Sequence, residues 1–180
     1  MIKAVSVDEA FEQLFDLVRR VHMALTQAGI EYRIVGGVAA FLHVNDIDPF
    51  AARLTRDVDV AIKSGDFDAV ARIAERNGFG DADGKWLDAR QNNGRRIVHF
   101  LSIGPGCSPS VTTKEGISLA PVSDTLRMKL TSFRLKDKVH IIDLDSVGLI
   151  TPEIEQALPE ALRARLDHVR KEERQSTGAE

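Results

Sequence analysis

The chain has 180 residues, of which 43% are hydrophobic and 28% are charged, and its formal net charge is −3. These values are ordinary for a soluble globular protein that is long enough for one domain with a real core. The net charge gives no global indication of nucleic-acid binding, and it leaves open only a local basic patch.

The cysteine content and the absence of long apolar runs predict the compartment. Cys107 is the only cysteine. A single cysteine cannot form an internal disulfide, so we interpret it as a structural or incidental thiol in a reducing compartment. No apolar run approaches the length of a membrane span, and the first residues lack the apolar block of a signal peptide. We therefore expect a cytoplasmic protein that does not associate with a membrane.

Hydrophobic periodicity predicts alternating helices and strands in the first third of the chain. A helix is predicted from about Val7 to Ala28, because apolar residues recur there at helical spacing. Glu31 to Val35 is predicted to be the first strand, and a short helix from Gly37 to Val44 follows it. The segment from Asn45 to Leu54 has no clear period and is expected to be a loop. Thr55 to Lys63 is then the second strand.

Further strands and then helices are predicted in the rest of the chain. A helix that begins near Phe67 should end at Asn77-Gly78. The polar stretch from Gly80 to Gly94 is expected to hold a turn and at most a short strand around Trp86. The segment RIVHFLSI, from Arg96 to Ile103, is predicted to be a strand, because it is rich in β-branched and aromatic residues. Gly116 to Leu119 is expected to be a last short strand, and a helix capped by Ser123 or Asp124 should follow.

This order of elements predicts an α/β (α+β) fold. Strands and helices alternate first, and the end of the chain is helical. Since no linker or repeat divides the sequence, we expect a single domain over residues 1–180. Within it, an α/β core should span residues 1–122 and a helical part residues 123–175.

A glycine pair, Gly36-Gly37, stands where the first predicted strand meets the next helix. Glycine has no side chain to block the approach of a phosphate, and the free N–H groups at the start of a helix favour anions. A glycine pair alone usually just marks a turn. Its functional interpretation therefore depends on what lies beside it.

Asp57 and Asp59 lie in the next predicted strand, and Asp57 is 20 positions after Gly37. Residues two apart in a strand point to the same face, so the two carboxylates should lie side by side. Such a pair is common on solvated strands, but it is also a typical site for Mg²⁺, which is held by one or two carboxylates plus substrate phosphates. The spacing leaves room for a helix and a return strand beside the glycines. The combination therefore favours function.

The glycine pair and the Asp57-Val58-Asp59 strand together resemble the nucleotidyltransferase superfamily that includes DNA polymerase beta and the minimal bacterial nucleotidyltransferases. A second stretch, RMKLTSFRLKDKVHIIDLDSVGLI from Arg127 to Ile150, is similar to the C-terminal helical part of the toxin-type, AbiEii-like members. The resemblance covers most of the chain. It implies a mixed sheet with helices packed on it, followed by a helical C-terminal part.

The activity that this resemblance implies is nucleotidyl transfer from a nucleoside triphosphate, with Mg²⁺ as cofactor. Asp57 and Asp59 would be metal ligands and catalytic residues. The nucleotide would be bound by glycines, by a hydroxyl and by cations, namely Gly36, Gly37, Thr55, Arg56, Lys129 and Arg134. Lys129 and Arg134 can equally be solvated helix residues.

The resemblance also implies a third carboxylate on a neighbouring strand, and this chain has none in the strand that should supply it. His99 takes the polar place between Ile97 and Leu101. Imidazole can ligate a metal but suits Mg²⁺ poorly. A one-metal site, a general base at His99, and a protein that binds without turnover are all left open.

Two functions of other classes remain open besides catalysis. The chain can be a degenerate nucleotide-binding module, or a toxin-type or antitoxin-type interaction protein whose partner is a tRNA or a protein. A tRNA acceptor would need a basic surface near Asp57, for which the candidates are Arg53, Arg56, Arg95 and Arg96. The acceptor, the preferred nucleotide and the oligomeric state cannot be read from the sequence.

Overall fold

The computed structural model describes residues 7–55, 57–82, 85–88, 97–104 and 106–178. The chain forms two compact units. The first consists of Met1–Val38 and Leu54–Ala120, and the second of Ala39–Arg53 and Pro121–Glu180. The second unit therefore takes in an internal segment of the sequence as well as the C-terminal part.

The first unit contains a seven-stranded mixed sheet. The strands are β1 (Tyr32–Val35), β2 (Val58–Ile62), β3 (Phe79–Ala82), β4 (Lys85–Asp88), β5 (Ile97–Ser102), β6 (Val111–Thr112) and β7 (Ser118–Leu119). They run along the sheet in the order β3-β4-β5-β2-β1-β7-β6. The β1–β7 and β2–β5 pairs are parallel, and the other neighbouring pairs are antiparallel.

Seven α-helices form within the described ranges. The first and third belong to the first unit, the last four to the second, and one helix begins in the first unit and continues in the second. They are α1 (Val7–Gln27), α2 (Gly36–Ile47), α3 (Phe67–Ile73), α4 (Val122–Ser132), α5 (Leu135–Ser146), α6 (Pro152–Gln156) and α7 (Glu160–Thr177). None of these described helices has the length and apolar character needed to cross a membrane.

One face of the sheet holds the apolar core of the first unit. Trp86 is fully buried there, stacked on Phe79 at 4.6 Å between ring centroids and edge-on to Phe100 at 4.9 Å. Helix α1 covers this face, since the Arg20 guanidinium pairs with the buried Asp88 carboxylate. Side chains alternate along a strand, so Asp59 and His99, which fall between core residues, project from the opposite face.

The second unit has a separate helical core. It is built from apolar side chains of α2, α4, α5 and α7 and of the segments that follow α5 and α6. Its buried members are Ala40, Val44, Leu126, Leu130, Ile141, Leu144, Ile150, Leu158, Leu166 and Val169. The predicted fold class is thereby confirmed, because a mixed sheet is combined with a helical C-terminal part.

Two predicted element boundaries near the glycine pair are wrong. The second helix begins at Gly36 rather than Gly37 and continues to Ile47, into the segment predicted to be a loop. Pro49 restricts the residue before it, which is Asp48, so the helix can continue until that point. The second strand begins at Val58, so Thr55 and Asp57 both lie outside it, and the prediction that Asp57 and Asp59 share one strand is wrong.

Two further corrections concern the stretch after Gly78 and the start of α4. The polar stretch after Gly78 forms two antiparallel strands, β3 and β4, where at most one short strand was expected. The cap predicted at Ser123 or Asp124 is also wrong, because α4 already begins at Val122. Pro121 precedes it in an extended conformation, with φ −64° and ψ 160°. This conformation suits the residue before a helix, and the proline ring fixes its φ.

Candidate active site

Gly36 and Asp59 lie in direct contact. Strand β1 passes into α2 without a loop, and Gly36 makes this turn with φ +71°, a conformation that residues with a Cβ rarely adopt. A Cβ added to Gly36 would overlap Oδ2 of Asp59 and lie 3.2 Å from its Cγ. Glycine is therefore needed here both for the turn and for the space that the carboxylate occupies.

Asp59 and His99 lie side by side on neighbouring strands. The parallel register of β2 and β5 places them opposite each other. The His99 Nδ1 atom is 3.4 Å from Oδ1 of Asp59, and the two side chains are 34% and 32% exposed. A nitrogen and a carboxylate oxygen, both accessible to a ligand, thus meet beside the glycine turn.

The register extends this arrangement into a row of residues across four strands. Lys85 of β4 pairs with His99, and Val35 of β1 pairs with Asp59. The same face therefore presents an ammonium, an imidazole and a carboxylate in sequence. Lys85 was not predicted as a site residue, because its place depends on the β4–β5 pairing, which a short polar segment does not reveal.

Arg33 is a second cation on this face that the sequence did not indicate. It lies two residues before Val35 in β1, and it is 9% exposed. Its Nη1 donates a hydrogen bond to the Ser108 carbonyl at 2.7 Å. Arg33 stands in an otherwise apolar strand, so its charge was the only feature of the sequence that could have indicated it as a site residue.

The other predicted site residues of the first unit lie near the start of β2 or in α2. Asp57 immediately precedes the strand and is exposed, and Thr55 is half-buried. Gly37 is buried in the first turn of α2. Arg56 lies outside the described residues. The convergence of the Asp57 carboxylate with Asp59 stays a prediction.

A divalent cation fits the donors that the structure brings together, provided that a substrate completes its ligands. The Asp59 carboxylate is held against Gly36, and His99 supplies a nitrogen next to it. Within the described ranges, no three His, Cys, Asp or Glu side chains form a cluster that could hold a metal alone. Phosphate oxygens of a nucleotide would have to supply the missing ligands.

Lys129 is held in the core of the second unit by Asp137. Its Nζ donates to Oδ1 of Asp137 at 3.0 Å, and the two residues are 5% and 0% exposed. Burial by itself would raise the pKa of Asp137, but hydrogen bonds from Arg134, Lys129 and Ser132 outweigh burial and hold the pKa of that carboxyl well below its usual range. The Asp137 carboxylate is therefore ionised at neutral pH.

Arg134 lies at the turn between α4 and α5, and its side chain is 60% exposed. Its backbone N–H and its Nε both donate to Oδ2 of Asp137, at 3.1 and 2.8 Å. Asp137 is the third residue of α5 and thus caps that helix, as a carboxylate near a helix N-terminus is expected to do. The predicted role of Lys129 and Arg134 in triphosphate binding stays a prediction.

Phe133 completes this turn in a left-handed conformation with φ +50°. Such a conformation costs a residue with a Cβ about 1–2 kcal/mol. Lys138 and Arg165 place their cationic groups 4.9 and 5.1 Å from the ring centroid. Two cation–π contacts of about 0.5–1 kcal/mol each offset much of that cost.

His140 and Asp143 lie one helical turn apart in α5, and burial affects both. Asp143 pairs with Arg53, whose Nε is 3.0 Å from Oδ1. Burial raises the pKa of Asp143, against the opposing effect of Arg53. Burial, followed by the charge of Lys129, lowers the pKa of His140 to about 4. Its Nδ1 has no hydrogen-bond partner among the described residues.

Comparison with solved structures shows the fold. The chain is similar to the antibiotic-resistance factor ANT(2'')-Ia, with a TM-score of 0.56 at 12% identity over 94% of this chain and 99% of that one. It is also similar to JHP933 from Helicobacter pylori, with a TM-score of 0.51 at 13% identity over 97% of both chains. No protein-family model and no curated protein matches the chain.

At 12 and 13% identity, the similarity shows the fold alone, a nucleotidyltransferase-like mixed sheet with packed helices. The toxin-type, AbiEii-like subgroup stays a prediction.

Proposed function

We propose that this protein is a metal-dependent nucleotidyltransferase, which transfers a nucleoside monophosphate from a nucleoside triphosphate to an RNA, protein or small-molecule acceptor. The observation that carries the proposal is the contact between the Gly36 backbone and the Asp59 carboxylate. It places a carboxylate that can hold a cation beside the start of α2, where backbone N–H groups favour anions. The nucleotidyltransferase fold supports the same assignment.

The proposed reaction is a displacement at the α-phosphorus. A hydroxyl or phosphate oxygen of the acceptor forms a bond to this phosphorus, the bond to the bridging oxygen breaks, and pyrophosphate leaves with the electron pair. The proton of an attacking hydroxyl passes to water. Because phosphoryl groups react through loose transition states, positioning and charge compensation contribute most of the rate enhancement.

The residues of the first unit have distinct roles in this proposal. Gly36 and Gly37 admit the triphosphate to the start of α2, where backbone N–H groups favour anions. Asp57 and Asp59 are the carboxylates that would hold Mg²⁺ or a similar ion, with phosphate oxygens as further ligands. A divalent ion bound there supplies charge neutralisation for the phosphates and for the leaving pyrophosphate. Thr55 and Arg56 would contribute a hydroxyl and a cation to nucleotide binding.

A second candidate is a catalytically degenerate protein that binds nucleotides without turnover, or an interaction protein of the toxin or antitoxin type. It is favoured by one observation, which is that the register places His99, and not a carboxylate, opposite Asp59. An RNA or a protein would then be a binding partner rather than an acceptor.

The test combines nucleotide binding with transfer. Wild type is incubated with each labelled nucleoside triphosphate, Mg²⁺ or Mn²⁺, and total RNA or total protein as acceptor. We expect labelled product from wild type, and neither product nor metal-dependent nucleotide binding from Asp59→Asn or Asp57→Asn. Asp68→Asn, which removes an exposed carboxylate from α3 of the same unit, is the matched control. Nucleotide binding without any product would support the second candidate, and unchanged metal-dependent binding in Asp59→Asn would exclude the metal-binding role of Asp59 on which the first candidate rests.

A further inference from the structure

His99, the residue opposite Asp59, is the feature of this site that departs most from a Mg²⁺ centre. Mg²⁺ is a hard cation that prefers oxygen ligands, and it loses little by keeping its water in place of a nitrogen. Mn²⁺ accepts carboxylate oxygens as well, and transition metals bind imidazole more readily than Mg²⁺ does. A site made of one carboxylate and one imidazole therefore distinguishes between these ions.

The geometry of the Asp59–His99 pair supports a shared ligand. Their closest atoms, Nδ1 and Oδ1, are 3.4 Å apart. This separation is longer than an ordinary N–H···O hydrogen bond, for which about 2.7–3.2 Å is typical. Two ligands of one ion, each bound at about 2.1 Å, lie roughly 3.0–3.4 Å apart. The two atoms are therefore spaced as neighbouring ligands of one cation are.

The surroundings fix this spacing. Asp59 and His99 belong to adjacent strands that are paired over five residues of β2, from Val58 to Ile62. The Asp59 carboxylate fills the space beside Gly36, at the start of α2. Both side chains are about one third exposed, so an ion and a nucleotide can reach them from solvent.

We propose that His99 is a ligand of the divalent ion at Asp59, and that it makes this site prefer Mn²⁺ to Mg²⁺. The proposal rests on the proposed function, because the phosphates of the nucleotide have to complete the ligand set. It replaces a general-base role for His99, since the Nδ1 atom faces Asp59 and would be occupied by the cation.

The test measures the ion directly and does not depend on turnover. Binding of Mn²⁺ is followed by electron paramagnetic resonance, with and without the α,β-methylene analogues of ATP, GTP, CTP and UTP. Mg²⁺ is then added as a competitor. Wild type should show coupling of the manganese electron spin to a ¹⁴N nucleus, and it should retain Mn²⁺ against an excess of Mg²⁺.

The variant His99→Asp replaces the nitrogen with an oxygen donor. The ¹⁴N coupling should disappear, and the preference for Mn²⁺ over Mg²⁺ should fall at least roughly 10-fold, since loss of an outer-shell partner of a ligand already lowers metal affinity about 10- to 100-fold. His99→Asn is the second variant if His99→Asp does not fold, as judged by circular dichroism. His168→Gln, which removes an imidazole that is 54% exposed on α7, should change neither quantity.

The outcomes separate this proposal from the proposed function. An unchanged ion preference in His99→Asp, or no ¹⁴N coupling in wild type, overturns the role of His99. If Asp59→Asn still abolishes metal-dependent nucleotide binding in that case, the proposed function stands. If wild type binds neither ion with any of the four analogues, both proposals are wrong.

Discussion

The backbone of Gly36 and the carboxylate of Asp59 occupy adjoining space so closely that no side chain fits between them. We predict that Gly36→Ala weakens nucleotide binding and also destabilises the protein. The added Cβ must overcome the unfavourable φ, at about 1–2 kcal/mol, and must also displace Asp59, at about 1–3 kcal/mol. Nucleotide titration and denaturant unfolding measure the two effects.

Gly29→Ala is the matched control for this prediction. Gly29 has φ +69°, and a Cβ added there meets nothing within 4 Å. The Gly29→Ala variant should lose only the stability that the unfavourable φ costs, and it should bind nucleotide normally. Equal losses of stability in the two variants would show that contact with Asp59 is unimportant.

Lys85 should contribute to nucleotide affinity, since the register places it opposite His99 on the face that carries Asp59. We predict that Lys85→Met weakens binding of a nucleoside triphosphate about two- to tenfold, as expected for loss of one exposed charged partner. The effect should shrink at high salt, because salt screens exposed charges. Lys63→Met, which removes an exposed lysine paired with Glu31 after β2, is the control. Equal affinities in both variants would remove Lys85 from the site.

Arg134 and Lys129 should differ in how their substitution acts. We predict that Arg134→Gln lowers triphosphate affinity by about 1–3 kcal/mol if it makes a charge-assisted hydrogen bond to phosphate. Lys129→Ala should lower both affinity and stability, because Asp137 loses its buried partner. Calorimetric titration with a triphosphate analogue measures the affinities, and Arg174→Gln on the exposed side of α7 is the control. Normal affinity in folded Arg134→Gln would exclude its phosphate contact.

Asp137 should stabilise the second unit strongly. Asp137→Ala leaves the Lys129 ammonium buried without its carboxylate, which we expect to cost about 3–5 kcal/mol of unfolding free energy. Asp145→Asn, which breaks a partly exposed pair with Arg170, should cost only about 1 kcal/mol. Because the folded pKa of Asp137 is lowered, its contribution is complete above the unfolded value of about 3.9 and is lost as pH falls below it. Measured by denaturant unfolding across this acid range, the free energy of unfolding should change less steeply with pH in Asp137→Asn than in wild type. An equally steep dependence on pH would contradict the prediction.

His140 should make stability depend on pH at a higher range. Its folded pKa is about 4, and an unfolded histidine has a pKa near 6.5. Between these values the unfolded chain binds a proton that the folded chain does not, so stability falls as pH decreases from about 6.5 to 4. This loss of unfolding free energy should be on the order of 1–3 kcal/mol, and it should be absent in His140→Phe. His168→Gln should retain it, and a titration of His140 by NMR near pH 6.5 would refute the assignment.

The sequence was informative where a local pattern determines the structure. The Gly36 turn, the polar face of β2 and the strand that carries His99 all follow from glycine, alternation and β-branched residues. These short-range rules were sufficient to predict the fold class and to place Asp59 beside a glycine.

Strand pairing and side-chain exposure were not predictable in the same way. Lys85 belongs to the face of Asp59 only because β4 pairs with β5 and β5 with β2, and such pairings are long-range. Lys129 resembled an ordinary helix cation, but it is buried, because Asp137 eight residues later compensates its charge. The extension of α2 to Ile47 likewise depended on packing of Val44 in the helical core.

Trp86 and Tyr32, the single tryptophan and the single tyrosine of the chain, both belong to the first unit, and both are buried. The second unit therefore contains neither of the two residues that dominate intrinsic fluorescence. Emission from Trp86 reports loss of the aromatic core between β3, β4 and β5, whereas circular dichroism records helices of both units. If Asp137→Ala lowers the midpoint of the Trp86 transition, the two units unfold together. If the emission midpoint stays unchanged while the helical signal is lost earlier, they unfold separately.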